Sequence, residues 1–162
     1  MLAPPVAAGE TRLKQARLLA LLIPAGLLGG ALFSQYVGGL YPCEMCYWQR
    51  WPHAAAILLV IGAYLTASNP TRSRMLVMLA ALAVAISGAI GMFHAGVEIG
   101  WWEGITQCTA TGATSLQDIM KVPLVRCDQV QWEFLGISMA GWNAIMSLTG
   151  AAAIVALARR SA

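Results

Sequence analysis

Charged residues divide this chain into long uncharged stretches. Four of them, 18–43, 51–71, 75–97 and 134–158, run for 26, 21, 23 and 25 residues. A helix needs roughly 20 residues, at 1.5 Å rise each, to cross the hydrocarbon core of a bilayer, so every stretch is long enough. The pattern predicts one all-α domain over 18–158, an integral membrane four-helix bundle with spans at about 18–37, 52–67, 75–95 and 136–157. A polar tail, 1–17, mobile up to Arg12, precedes it, and a short tail, 159–162, follows. In span 1, Pro24 predicts a kink, and Gly26 and Gly30 stand at the GxxxG spacing that lets helices approach closely. Ser68 to Thr71 read as the turn between spans 2 and 3. The first stretch reads as a retained span, because it exceeds the roughly 7–15 apolar residues of a secretory signal and no small-x-small site follows at Phe33 to Tyr36.

Composition strengthens this picture: 59% of residues are hydrophobic and 10% are charged, against about a quarter charged in a soluble domain. A soluble globule is excluded. The net charge of +3 matters through its placement. Arg12, Lys14, Arg17, Arg72, Arg74, Arg159 and Arg160 lie in the tails and the short turn, whereas the other side holds Arg50, Lys121 and Arg126 with Glu98, Glu103, Asp118, Asp128 and Glu133. The positive-inside rule then puts both termini in the cytoplasm and makes 38–51 and 96–135 outer loops. This charge speaks for topology, not for nucleic acid, and no nucleic-acid partner is expected. In the second, long loop, Ser115 and Asp118 give a capping-box-like start, and Leu116, Ile119 and Met120 share a face, which predicts a short surface helix.

All four cysteines, Cys43, Cys46, Cys108 and Cys127, fall in the outer loops, on the side where disulfides persist. Trp48, Trp51, Trp101, Trp102, Trp132 and Trp142 cluster there too. They read as an interfacial aromatic belt, or as the wall of a flat pocket for a ring-shaped ligand.

Cys43 and Cys46 form a CxxC motif, which serves zinc sites and redox dithiols alike. If the segment is helical, Cys46 and Arg50 lie one turn apart on one face, and the guanidinium can stabilise a Cys46 thiolate; Arg50 can equally be a snorkelling interfacial cation. Cys108 and Cys127, 19 residues apart, read either as a structural disulfide, adding roughly 3 kcal/mol by loop closure, or as a second dithiol. Two dithiols within reach exchange through mixed disulfides and pass two electrons from one to the other. Together the four sulfurs could also make a zinc site, although Cys108 and Cys127 lack knuckle spacing; no metal is expected. His53 and His94 lie at the outer ends of neighbouring spans. They read as hydrogen-bonded bundle histidines, with axial ligation of a b-type haem as the rival. Covalent c-type haem is excluded because Tyr47, not histidine, follows Cys46.

Three patches resemble the DsbB family of bacterial disulfide-bond formation proteins: Pro42-Cys43-Glu44-Met45-Cys46-Tyr47-Trp48-Gln49-Arg50, His94 with Cys108 14 residues later, and Cys127 followed by Gln131-Trp132-Glu133-Phe134-Leu135-Gly136. With four spans and matching topology, the resemblance covers about Arg12 to Ala158. It implies a membrane protein-disulfide:quinone oxidoreductase of the bacterial inner membrane. A soluble periplasmic DsbA-like thiol oxidase would attack Cys108 and release Cys127, which would engage Cys43 and free Cys46 beside a quinone, ubiquinone or menaquinone, drawn from the pool in the bilayer. By position, Arg50 would polarise the ring, and His94 and Met139 would contact the cofactor. A DsbA-type oxidase has a potential near about −120 mV, and 30 mV is about 1.4 kcal/mol for two electrons, so a more oxidising acceptor is needed to pull the relay forward. The Cys108 to Cys127 spacing is shorter than in the best-known members, and Glu44 sits between the first two sulfurs. Three other readings remain open: a vitamin-K-epoxide-reductase-like thiol protein with the opposite electron flow, a tetraspan scaffold with structural disulfides, and a haem-binding electron carrier.

Overall fold

A computed structural model describes residues 5–105 and 125–160. Its order is α1 (Pro5–Tyr36), α2 (Glu44–Leu65), α3 (Pro70–Glu98), a hairpin of β1 (Glu133–Phe134) and β2 (Ile137–Ser138), and α4 (Met139–Arg159). Three helices are long and apolar enough to cross a membrane, over Ala8–Tyr36, Pro70–Glu98 and Met139–Arg159. At 22 residues α2 is also long enough, but Glu44, Gln49, Arg50 and His53 make its first half polar.

The helices overrun the uncharged stretches because helix caps, not charges, set their ends. Cys43, in extended conformation, caps α2 by accepting from the Cys46 amide at 3.3 Å, so the expected loop 38–51 ends at Cys43. Asn69 caps α3 by accepting from the Arg72 amide at 3.1 Å, with Pro70 in the first turn, and α3 continues three residues past Ala95 to Glu98. In α1 the helix starts at Pro5 and takes in most of the expected mobile tail. Before α4, β1 and β2 pair antiparallel through Leu135 and Gly136, whose φ values of 54° and 74° suit a two-residue hairpin turn. Helix α4 therefore begins at Met139 rather than Gly136, capped by Ser138 accepting from the Gly141 amide at 3.1 Å.

The bundle core is built from small residues, among them Ala16, Ala20, Ala56, Val60, Ala80 and Ala151, so van der Waals contact between closely approaching backbones holds it together. Glycines of α3 face α4 without room for a side chain. A Cβ on Gly91 would meet Asn143 Nδ2 at 2.9 Å, the Ala140 carbonyl oxygen at 3.0 Å and Gln49 Oε1 at 3.1 Å. Gly91→Ala should therefore lower stability by about 1–3 kcal/mol, as other overpacked sites do; a melting curve in detergent checks it, and an unchanged midpoint would contradict the contact. The GxxxG of span 1 behaves otherwise: Gly26 and Gly30 are exposed, and a Cβ at either position would meet nothing within 4 Å. The close intrachain contact expected there is not made.

The first turns of α1 and the end of α4 meet at one end of the bundle, where Arg12 Nη1 donates to the Arg160 carbonyl at 3.1 Å. At the other end a second small core packs Cys43, Met45, Val97, Val125 and Cys127 against Cys46 and Phe93. Trp48, Trp51, Trp101, Trp102 and Trp132 are exposed. Trp102 crosses α3 at Gly96, stacks on Phe93 with centroids 5.6 Å apart and donates Nε1–H to the Phe93 carbonyl at 2.8 Å.

Candidate functional site

The first turn of α2 places three of the expected site residues. Cys43 at the cap and Cys46 one turn later bring their Sγ atoms to 2.9 Å. Cys127, from the segment before the hairpin, hydrogen bonds to Cys43 through its sulfur. Cys43 is thus the shared sulfur, in contact with both others. Cys108 and the expected surface helix at 115–122 lie outside the described residues.

The two cysteines of the motif are electrostatically unequal. Hydrogen bonds with Cys127 and Cys46, together with burial, push the Cys43 thiol up. Cys46, ahead of the span proper, is pulled below the usual thiol range, first by the hydrogen bond from Cys43 and further by the Arg50 charge. In the reduced state a thiolate is therefore favoured on Cys46 over Cys43. A thiolate is the nucleophile of disulfide exchange.

Arg50 ties α2 to α1. Its Nη1 donates to Gln35 Oε1, its Nη2 donates to the Ala31 carbonyl at 3.2 Å, and its Cζ lies 5.2 Å from the Tyr47 ring centroid. Met139 opens α4 beside the same stretch of α1, with Ser34 Oγ 3.9 Å from its sulfur. The structure therefore brings Arg50 and Met139 to neighbouring residues of α1, while His94 faces the sulfurs on the other side of the motif.

His94 is buried on α3. Its Nε2 lies 3.5 Å from Cys43 Sγ and 3.2 Å from the Cys127 carbonyl oxygen, and its Nδ1 lies 2.9 Å from Gln49 Nε2. The ligand atoms of Cys43, Cys46 and His94 fall within 4.8 Å of one another, so among the described residues this trio is the set that could face a metal ion. His53 engages different groups, Asn143 Oδ1 and Ser87 Oγ, each at 2.9 Å. Gln49, Ser87 and Asn143 lie between the two histidines and hydrogen bond to them.

Several residues of this site carry no signal in the charge pattern. Gln49, Ser87, Asn143 and Ser147 are uncharged and are linked by hydrogen bonds across α2, α3 and α4. Glu98, which the charge pattern places among the outer-loop acids, instead has a side chain only 7% exposed, with Oε1 3.8 Å from His94 Nε2 and a hydrogen bond to Ser138. The spacing of Gln49 and His53, and of Asn143 and Ser147, one turn apart in otherwise apolar helices, is the signal that could have found the polar cluster.

Comparison with known proteins agrees with the geometry. The family described as "DsbB: Disulfide bond formation protein DsbB" matches residues 13–157. A disulfide bond formation protein B of a Polaromonas species is 32% identical over 163 residues, covering 89% of this chain and 93% of its own. That of Aromatoleum aromaticum is 30% identical over 149 residues, covering 84% and 87%, and that of Marinobacter nauticus is 30% identical over 140 residues, covering 78% and 80%. No solved structure matches. A match over nearly the full bundle, on a chain in which Cys43, Cys46 and Cys127 converge at one end of the helices, settles the family: this helical membrane protein belongs to the DsbB family of disulfide bond formation proteins.

Proposed function

We propose that this oxidoreductase carries two electrons from a soluble DsbA-like dithiol, through Cys108/Cys127 and then Cys43/Cys46, to a membrane quinone. The observation that carries the proposal is the position of Cys43, whose sulfur touches both Cys46 and Cys127. A thiolate of the partner attacks Cys108 of a Cys108–Cys127 disulfide, and Cys127 leaves with the electron pair. The Cys127 thiolate attacks Cys43, the Cys43–Cys46 bond breaks, and Cys46 leaves as a thiolate. The partner's second thiolate then displaces Cys108 and departs oxidised, and Cys108 re-forms its bond to Cys127, releasing Cys43. The partner has lost two electrons and the Cys43/Cys46 pair has gained them.

A bound quinone supplies the two-electron acceptor that returns Cys43 and Cys46 to the disulfide. The residues fit such a ring: the guanidinium has five N–H donors, the hydrogen bonds to Gln35 and Ala31 use one on each Nη, and the others suit a carbonyl oxygen. Arg50 holds that oxygen and stabilises the Cys46 charge, while Met139 and His94 flank the motif. The basic end of the bundle faces the cytoplasm and the cysteine end the periplasm, in the inner membrane.

Anaerobic turnover of the purified protein with a reduced DsbA-type partner and a soluble quinone tests this reading. We expect one quinone to be reduced per partner disulfide formed. A quinone left unreduced while all four cysteines stay paired would make the disulfides structural and overturn it.

A further inference from the structure

We propose that Gln49 is a positioning residue that fixes the tautomer of His94, placing its proton on Nε2, where the ring serves as a hydrogen-bond donor to the Cys43 sulfur and the Cys127 carbonyl. The inference deepens the relay proposed above and rests on it for its catalytic meaning. Two backbone carbonyls, which can only accept, determine every orientation in the network. Asn143 Nδ2 donates to the Ser87 carbonyl at 3.2 Å, so its Oδ1 is the end that accepts from Ser147 Oγ at 3.0 Å and from His53. Asn143 Nδ2 also donates to Gln49 Oε1 at 2.8 Å. Gln49 Nε2 therefore points the other way, donating to the Met45 carbonyl at 3.1 Å and to His94 Nδ1 at 2.9 Å. A flipped Gln49 amide would set oxygen against the Met45 oxygen and nitrogen against the Asn143 nitrogen.

A ring nitrogen facing an N–H donor must itself be unprotonated, so neutral His94 carries its proton on Nε2. That N–H faces the Cys127 carbonyl oxygen at 3.2 Å and Cys43 Sγ at 3.5 Å. It holds the Cys127 segment against Cys43, and it favours negative charge on the Cys43 sulfur whenever the Cys43–Cys127 bond breaks. In the other tautomer a lone pair would face the carbonyl oxygen and the donor would be lost. A protonated Nε2 is also not a metal ligand, so the Cys43, Cys46 and His94 trio is assigned to hydrogen bonding.

The ¹⁵N spectrum of histidine-labelled protein in micelles reads the tautomer directly, independently of turnover. We expect the Nε2–H form for His94 in the wild type, and a mixture of tautomers with kcat reduced about tenfold in Gln49→Met, the loss of one well-placed hydrogen bond. Gln49→Glu gives up the bond to the Met45 carbonyl but supplies an acceptor at Nδ1, so the ring carries protons on both nitrogens and keeps its Nε2 donor. This variant should recover turnover and show a new fall in rate as pH rises through the imidazole range. The other titrating groups facing the ring are Cys43, Cys46 and Cys127 from α2 and the hairpin side, and Glu98 from α3; they are common to all three proteins and cancel in the comparison. A wild-type spectrum showing the Nδ1–H form, or Gln49→Met turning over like wild type with its tautomer unchanged, overturns the inference. Absence of quinone reduction by the wild type with the Nε2–H form intact would instead count against the relay alone.

Discussion

Cys43→Ser should abolish quinone reduction by the reduced partner, lowering kcat by more than about 10³-fold, the scale on which enzymes lose their covalent nucleophile. The size follows from topology. Cys43 is the sulfur that touches both Cys46 and Cys127, so without it the electrons delivered to Cys127 have no bridge to the pair beside Arg50. Folding should survive, because the other duty of Cys43 is to cap α2 by accepting from the Cys46 amide at 3.3 Å, and serine caps helices well. The substitution therefore separates chemistry from stability: the melting midpoint should hold while turnover disappears. The partner can still be oxidised once by a Cys108–Cys127 disulfide, because its second thiolate displaces Cys108, but the cycle then stops with Cys108 and Cys127 reduced, and a single equivalent of partner disulfide should form. Turnover above a tenth of wild type would show that electrons reach the acceptor without passing through Cys43.

The same convergence shows what the sequence could reveal. Uncharged windows located α1, α3 and α4, because crossing a bilayer demands an apolar length that few other structures need, and the distribution of lysine and arginine separated the two ends of the bundle. Charges were a poor guide to where helices stop. Glu44 and Arg50 interrupt an apolar window yet sit comfortably in the first turns of α2, where a side-chain cap at Cys43 sets the boundary. The hairpin around Leu135 and Gly136 gave no strand alternation to read, since β1 and β2 have only two residues each. Cys43 and Cys46 were legible as a CxxC motif, and Arg50 because its spacing from Cys46, once helical, puts the two on one face. Gln49, Asn143 and Glu98 were not, because what matters about them is which backbone carbonyl or ring nitrogen each one meets, and those partners come from other helices.

Arg50→Met should raise the quinone KM by about 10- to 100-fold, equivalent to the roughly 1.5–3 kcal/mol of a hydrogen bond from a charged donor. Two effects of the guanidinium disappear together. The donors that would hold a carbonyl oxygen are lost, and so is the charge that helps to keep Cys46 below the usual thiol range. The second loss has its own readout. In reduced protein the pH at which Cys46 becomes reactive toward iodoacetamide should rise, because the thiolate keeps only the hydrogen bond from Cys43. Arg50→Lys separates the two effects: lysine restores the charge but not the planar fork, so the Cys46 midpoint should return toward wild type while KM stays elevated. Part of any loss could come from the bundle itself, since Arg50 also joins α2 to Gln35 and the Ala31 carbonyl of α1, and a melting curve of each variant measures that share. If Arg50→Met moved the Cys46 midpoint and left KM unchanged, the guanidinium would act on the thiolate alone, and the ring would have to be held by other residues.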